Sequence, residues 1–257
     1  MDTVQKNYEL RVIKSGEADE KFVEEFCFVC NATFGEGAMT PELFKKKYTD
    51  NIYGDSVLCV AYSEENVPAG ARALWRNDIA GVCAYQPCDT CVLREHRRQG
   101  LFEKMTFAAL EKTEEGAVIY NYPNGNSRRL YLKLGWTVYA ELKPRFWNGE
   151  KAYLREHPEE MSEEYFNWWI KNESDNKNKA KKIGNSYYIV RNYGRLFQIV
   201  LARVPESVAI NLDKADNRLL LYWSEKKCFY NKKRESRIIV KKAKADIRIP
   251  SWKMDVI

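Results

Sequence analysis

The sequence predicts a mixed α/β fold. Its order is strand, two helices, an antiparallel meander, then strand–turn–helix–strand–helix–strand, with an α+β region behind it. Three observations carry that reading. Between Ser56 and Leu93, runs rich in β-branched and aromatic residues are punctuated by turn residues, as in consecutive antiparallel strands. The strand ending in Val92-Leu93 passes through a basic, glycine-containing turn, Arg94-Glu95-His96-Arg97-Arg98-Gln99-Gly100, into a segment of helical period. Beyond Phe146 the texture shifts to charged and polar stretches around a second set of strand-like runs.

Tyr8 to Lys14 reads as the first strand, with Leu10, Val12 and Ile13. Glu20 to Phe34 is helical by spacing, with Phe22, Phe26, Val29 and Cys30 on one side and Gly35 ending it. Thr40-Pro41-Glu42 starts a second helix, Thr as N-cap and Pro in the first turn, leading through Leu43-Phe44-Lys45 to Tyr48. Ser56 to Tyr62 and the stretch near Gly70 to Trp75 are strands joined by a turn at Glu64 to Asn66. Gly81 to Leu93 supplies strand material broken by Pro87. Leu101 to Lys112 predicts a helix burying Leu101, Met105, Ala108, Ala109 and Leu110. The apolar run Ala117-Val118-Ile119-Tyr120 follows, then Asn124-Gly125-Asn126-Ser127 and Leu130 to Trp136. In the second half, Glu150 to Pro158 is charged, and Ser162-Glu163-Glu164 caps a helix carrying Tyr165, Phe166, Trp168, Trp169 and Ile170. Asn172 to Lys182 reads as an exposed loop. Ser186 to Arg191, the turn Asn192-Tyr193-Gly194 and Arg195 to Leu201 make a hairpin, with further strands at Arg218 to Trp223 and Ile238 to Val240.

At 257 residues the chain suits one large globular domain or two modest ones. No apolar run approaches the roughly 20 residues that cross a bilayer, and the first residues lack the apolar core of a secretory signal. A cytoplasmic protein with no membrane partner is the simplest expectation. The net charge of +6 is modest, but from Lys226 to Lys244 there are nine Lys/Arg against one acid, Glu235. A solvated pair of strands with lysine-guarded edges is favoured for that run. The alternative is a basic face for an anionic substrate or for nucleic acid, with Phe229 and Tyr230 as stacking platforms; a nucleic-acid partner is not expected. Two Cys-x-x-Cys pairs, Cys27/Cys30 and Cys88/Cys91, stand among seven cysteines. The first lies in a helical pattern. The second lies in a strand, where an offset of three puts the side chains on opposite faces, so buried free thiols are expected and not a metal. His96 and His157 are the only histidines.

A helix that begins at the basic turn leaves backbone N–H groups pointing outward at the positive end of its dipole, a seat for a phosphate or pyrophosphate. Arg97 and Arg98 add charge there, and Gly100 lets the backbone come close to a ligand. Taken with the segment downstream, this order resembles the GCN5-related N-acetyltransferase (GNAT) superfamily over residues 8 to 145, a little over half the chain. Arg97-x-x-Gly100 is similar to that family's coenzyme A pyrophosphate turn. Asn124-x-x-Ser127 with Tyr131-x-x-x-Gly135-Trp136 resembles the segment that closes its site. Phe102 departs from the pattern, standing where many members carry Gly or Ala. Its N–H can still donate, provided the ring points away into the core.

The resemblance implies a central, mixed, mostly antiparallel sheet flanked by helices in a first domain, residues 1–147. Residues 148–257 would form an α+β domain, expected as a degenerate second GNAT-like unit that shapes the acceptor site. That second half lacks an Arg-x-x-Gly turn leading into a helix, so it is not expected to bind coenzyme A. The implied cosubstrate is acetyl-coenzyme A, held by Val92, Leu93, Arg97, Arg98, Gln99, Gly100, Leu101, Phe102, Asn124 and Ser127, with Val92 and Leu93 offering backbone groups to the pantetheine arm. Asn124 and Ser127 fit plain cap chemistry equally well. Tyr131 occupies the position of the tyrosine that protonates the departing thiolate, chemistry a phenol can perform. Asp89 is the candidate general base, with proton removal by ordered water an equal alternative. The implied partner is a small-molecule amine, of amino-sugar, nucleotide-linked amino-sugar or amino-acid type, and monomer and homodimer both stay open. The alternative function is a non-catalytic acyl-coenzyme A sensor.

Overall fold

The computed structural model describes residues 7–171, 178–226, 236–242, 247–250 and 253. The chain divides into two compact units, residues 1–121 with 241–244, and residues 122–240 with 245–257. The division falls at Asn121/Tyr122.

In the first unit the strands β1 (Glu9–Lys14), β2 (Val57–Tyr62), β3 (Pro68–Arg76), β4 (Ala84–Val92) and β5 (Val118–Asn121) lie side by side in that order. Neighbours are antiparallel except β4 and β5, which are parallel. Helix α1 (Glu20–Phe34) is capped by Asp19, whose carboxylate accepts the Phe22 N–H, and buries Phe22, Phe26, Cys27, Val29 and Cys30. Such a cap is worth about 1 kcal/mol. Helix α2 (Pro41–Phe44) has Thr40 as N-cap and continues as a π-helical turn, Lys45–Thr49. Phe26, Phe44 and Tyr48 meet edge to face, fixing that wide turn against α1. Helix α3 (Leu101–Glu111) buries Leu101, Met105, Thr106 and Ala109, while Ala108 and Leu110, expected in the core, are only half-buried. Leu101 and Met105 pack with Cys59, Ala61 and Ala69 of the sheet.

Two expectations for β4 are corrected. Pro87 does not break the strand, which runs through it paired with Leu74. The Asn77 N–H bonds the Ala84 carbonyl, so by alternation Leu74/Pro87 is a pair without ladder bonds and the proline nitrogen faces away from β3. On that far side β4 meets β5 only at Ala84/Val118 and Tyr85/Ile119, and Pro87 has no N–H with which to extend the pairing. Nor do Cys88 and Cys91 lie on opposite faces. Cys88 pairs with Ala73 and Cys91 with Ala71, so three steps on β4 match two on β3 across a bulge. Ala71 and Ala73 share a face, and both thiols therefore do too.

The second unit holds α4 (Gly125–Lys133), β6 (Thr137–Phe146), α5 (Glu150–Glu156), α6 (Glu163–Tyr165) with a π-helical turn Phe166–Ile170, β7 (Asn178–Ile183), β8 (Ser186–Tyr193), β9 (Phe197–Val204), α7 (Glu206–Ala209) and β10 (Leu219–Ser224). Strand β11 (Ser236–Lys242) pairs antiparallel with β6, and β6 with β10. Strands β7, β8 and β9 form an antiparallel meander, and β9 runs parallel to β10. The core here is aromatic, with Tyr153, Tyr188 and Tyr222 around Val190 and Val200. The loop expected through Lys182 is corrected from Asn178 on. Asn178 and Ala180 alternate inward while lysines alternate outward, and the run pairs with β8. Most of the basic run, residues 227–235 and 243–244 with Phe229 and Tyr230 among them, lies outside the described residues.

Candidate active site

The β4–α3 junction is pinned from inside. Leu93 donates its N–H to the Ala69 carbonyl at 2.9 Å, and its own carbonyl accepts the His96 N–H at 3.0 Å. His96 is buried, its Nδ1 3.0 Å from the Tyr8 hydroxyl. Leu93 is thus committed to the fold and has neither backbone group turned to a ligand. Ala69/Leu93 being a ladder-bonded pair, its neighbour Gly70/Val92 is not, and Val92 turns its N–H and carbonyl away from β3 to the open edge of β4. The Val92 carbonyl accepts from Arg97 Nε at 3.0 Å, which steadies an otherwise exposed guanidinium. Arg98 is exposed in the left-handed region, φ 64°, and Gly100 follows at φ 75° as the N-cap of α3, with no side chain to cap the helix. Two left-handed positions, one on either side of Gln99, shape the turn between the arginines and the helix start, at a cost of about 1 kcal/mol at the non-glycine residue. Gln99 is half-buried.

Phe102 does not enter the core as expected. Its half-buried ring lies under the buried guanidinium of Arg72, 5.0 Å from Arg72 Cζ, and Arg72 Nη1 donates to Thr90 Oγ1 at 3.3 Å. The cation supplies what the core would have supplied.

Asp89 sits in the β4 bulge at φ 43°. Its Oδ2 accepts from Lys47 Nζ at 2.8 Å and from the Tyr48 hydroxyl. The Lys47 side chain is 6% exposed and that of Asp89 18%. Burial works against both charges, yet each outweighs it for the other. The Lys47 charge and the bonds to Asp89 hold the carboxyl below its ordinary pKa, and Asp89 holds the ammonium above the ordinary lysine value. Burial, then the Asp89 charge, raise the Tyr48 phenol well above its usual value. Lys47 and Tyr48 went unread in the sequence, because Lys45-Lys46-Lys47 looks like a solvated face; the π-helical turn is what swings Lys47 inward. Arg76 and Asp78 are paired with each other, and Trp75, Tyr85, Tyr120 and Trp136 are buried.

The remaining named residues belong to the second unit. Asn124 Oδ1 accepts from the N–H groups of Asn126 and Ser127, at 3.0 and 2.9 Å, and from the Ser127 hydroxyl at 3.1 Å. Asn124 is the N-cap of α4, and Ser127 bonds back to it from the first turn. Tyr131 is buried with its ring 4.7 Å from that of Trp136.

No family model matches the sequence, and neither does any curated protein. Solved structures do match. A GCN5-related N-acetyltransferase from Anabaena variabilis superposes with a TM-score of 0.55 at 13% identity, covering 90% of this chain and 72% of that one. One from Kribbella flavida gives 0.54 at 13% identity, with 91% and 71% covered. A conserved protein of Enterococcus faecalis described as a probable N-acyltransferase gives 0.52 at 11% identity, with 96% and 74% covered. The chain therefore has the GNAT fold, a mixed, mostly antiparallel sheet flanked by helices. Among the described residues no helix is long and apolar enough to cross a membrane.

Proposed function

We propose that this chain is an N-acetyltransferase that moves an acetyl group from acetyl-coenzyme A to the amine of a small molecule by direct attack in a ternary complex. The observation that carries the reading is the β4–α3 junction. An edge of β4 is left open by Pro87, Val92 turns backbone toward it, and an uncapped helix start is flanked by two exposed arginines. That donor set fits a pantetheine arm and a pyrophosphate. Val92, Arg97, Arg98, Gln99, Gly100, Leu101 and Phe102 would hold the cosubstrate, all but the arginines and Gln99 through backbone. Leu93 would only pack. Asn124 and Ser127 would shape the start of α4.

Bound acetyl-coenzyme A supplies a thioester whose carbonyl carbon the neutral amine attacks; the C–N bond forms as the C–S bond breaks. Tyr131 is proposed to give its phenolic proton to the departing sulfur, as the GNAT resemblance implies. Asp89, ionised and locked to Lys47, is a weak base. Its surroundings favour a role holding the bulge, with the amine proton leaving through water. The acceptor class remains amino sugar, nucleotide-linked amino sugar or amino acid.

The second unit is proposed to be a degenerate copy of the first. Strand, two helices with a π-helical turn, antiparallel meander, helix and a strand parallel to the last of the meander occur in both. The helix that would seat a pyrophosphate is reduced from eleven residues in α3 to four in α7. Calorimetric titration of acetyl-coenzyme A into wild type and Arg97→Ala/Arg98→Ala tests the function. Micromolar binding weakened tenfold or more, about 1.4 kcal/mol, is expected. No binding to the wild type ends the proposal. Binding without turnover on any amine would leave the sensor reading instead.

A further inference from the structure

We propose that Cys30 and Cys91 form an oxidisable thiol pair, a modification site at which a peroxide joins α1 to the end of β4 by a disulfide. Cys30 reaches in from α1 and Cys91 from β4, their sulfurs 3.8 Å apart and the residues 1% and 3% exposed. Each belongs to a different Cys-x-x-Cys motif. They meet because the β4 bulge turns Cys91 to the face on which α1 packs. Of the other motif thiols, Cys88 lies 3.5 Å from the Tyr48 hydroxyl. Among the described residues no group of three His, Cys, Asp or Glu gathers to hold a metal. What the two motifs build is a contact between two thiols, which an S–S bond of about 2.05 Å would close further.

The neighbouring Cys91 sulfur and burial push the Cys30 thiol up, so in the closed chain it stays protonated. Oxidation therefore proceeds through local opening of α1 and is slow. The Cys91 thiolate attacks one oxygen of hydrogen peroxide, giving a sulfenic acid and hydroxide. The Cys30 sulfur then attacks the sulfenic sulfur, and its oxygen leaves as water with the Cys30 proton. Two thiols and one peroxide become one disulfide and two waters, the peroxide taking up both electrons. The bond closes a long loop between residues 30 and 91, which restricts the unfolded chain.

The test is incubation of the full chain with hydrogen peroxide for hours. It is followed by unfolding in denaturant with an alkylating agent and no reductant, digestion and mass spectrometry. The expected product links the Cys30 peptide to the Cys91 peptide, lighter by two hydrogen atoms, while Cys59, equally buried, is recovered alkylated. The thermal transition should rise by several degrees and fall back on reduction. Cys30→Ser and Cys91→Ala should each abolish both effects; should one variant fail to fold, the other and the wild-type map still decide. Recovery of Cys30 and Cys91 both alkylated, or linked instead to other cysteines, overturns the proposal.

Discussion

Replacing Lys47 with Met tests whether the Lys47–Asp89 pair is what holds the β4 bulge. The substitution keeps the length of the side chain and removes its charge, leaving Asp89 with only the Tyr48 hydroxyl and neighbouring groups. Removing one partner of a buried pair costs about 3–5 kcal/mol. Asp89 retains some water access, at 18% exposure against 6% for Lys47, which places the cost at the lower end. A loss of about 3 kcal/mol lowers the melting temperature of a domain this size by roughly 6–12 °C. The pH dependence follows from the directions of the shifts. In the wild type the carboxyl is held low, so its contribution is complete above the ordinary carboxylate value and is lost only as pH falls through the lower folded one. Lys47 is held high, so its contribution is complete below about pH 10 and is lost above its folded value. In Lys47→Met the opposing charge is gone and only the hydrogen bonds from Tyr48 and Cys88 are left against the burial of Asp89, whose pKa then rises, so the deficit should be largest near neutrality and shrink toward pH 4. Melting curves by circular dichroism across that range, with Asp89→Asn and the double variant, give the answer. The double variant should lose less than the sum of the singles. A Lys47→Met protein as stable as wild type at neutral pH, or a gap that widens on acidification, refutes the reasoning.

Tyr131→Phe should lower kcat about a hundredfold or more while leaving the affinity for acetyl-coenzyme A unchanged; an unchanged kcat would remove Tyr131 from proton donation. His157 Nε2–H donates to the Trp223 carbonyl at 2.7 Å, and burial pushes its pKa down to about 4. Stability from keeping it neutral is present above the ordinary value of about 6.5 and is lost as pH falls through the folded value, a total of about 3 kcal/mol. His157→Asn should erase that slope in acid-denaturation curves. Phe102→Ala should cost about 0.5–2 kcal/mol of stability through the lost contact with Arg72. Its acetyl-coenzyme A affinity should change by less than about threefold, because only backbone would serve the cosubstrate there; a tenfold loss by calorimetry would show that the ring itself takes part.

Much of the first unit was legible because its signals are local. The period of Glu20–Phe34, the Thr40-Pro41 start and the basic turn at Arg97–Gly100 depend on neighbours a few residues apart, and each forms where spacing and cap chemistry place it. The lysine-rich stretch before Ile183 misled because its inward positions, Asn178 and Ala180, are weak strand formers whose state is decided by pairing with β8. The roles of Val92 and Leu93 differ for a reason no spacing shows: which residue of a strand faces its partner depends on register, and a shift of one exchanges them.

The bulge in β4 is the clearest case of one backbone event that sets several side chains at once. Were the pairing of Cys88 with Ala73 continued without it, Asp89 would stand opposite Arg72, on the face that α3 covers. The extra residue, with Asp89 at φ 43°, instead sends the carboxylate to Lys47 and leaves Thr90 to accept from Arg72. It also turns Cys91 to Cys30. The chain carries a faint mark of this, since Pro87 and Asp89 are both poor strand residues within one strand, and Asp tolerates the left-handed region better than most. What the chain does not carry locally is the cation. Lys47 is brought from a π-helical turn forty-two residues away, and without it the buried carboxylate at the bulge has no counter-charge. The carboxylate in the β4 bulge is therefore set by a long-range pair, and its chemistry follows the pair more than the residue.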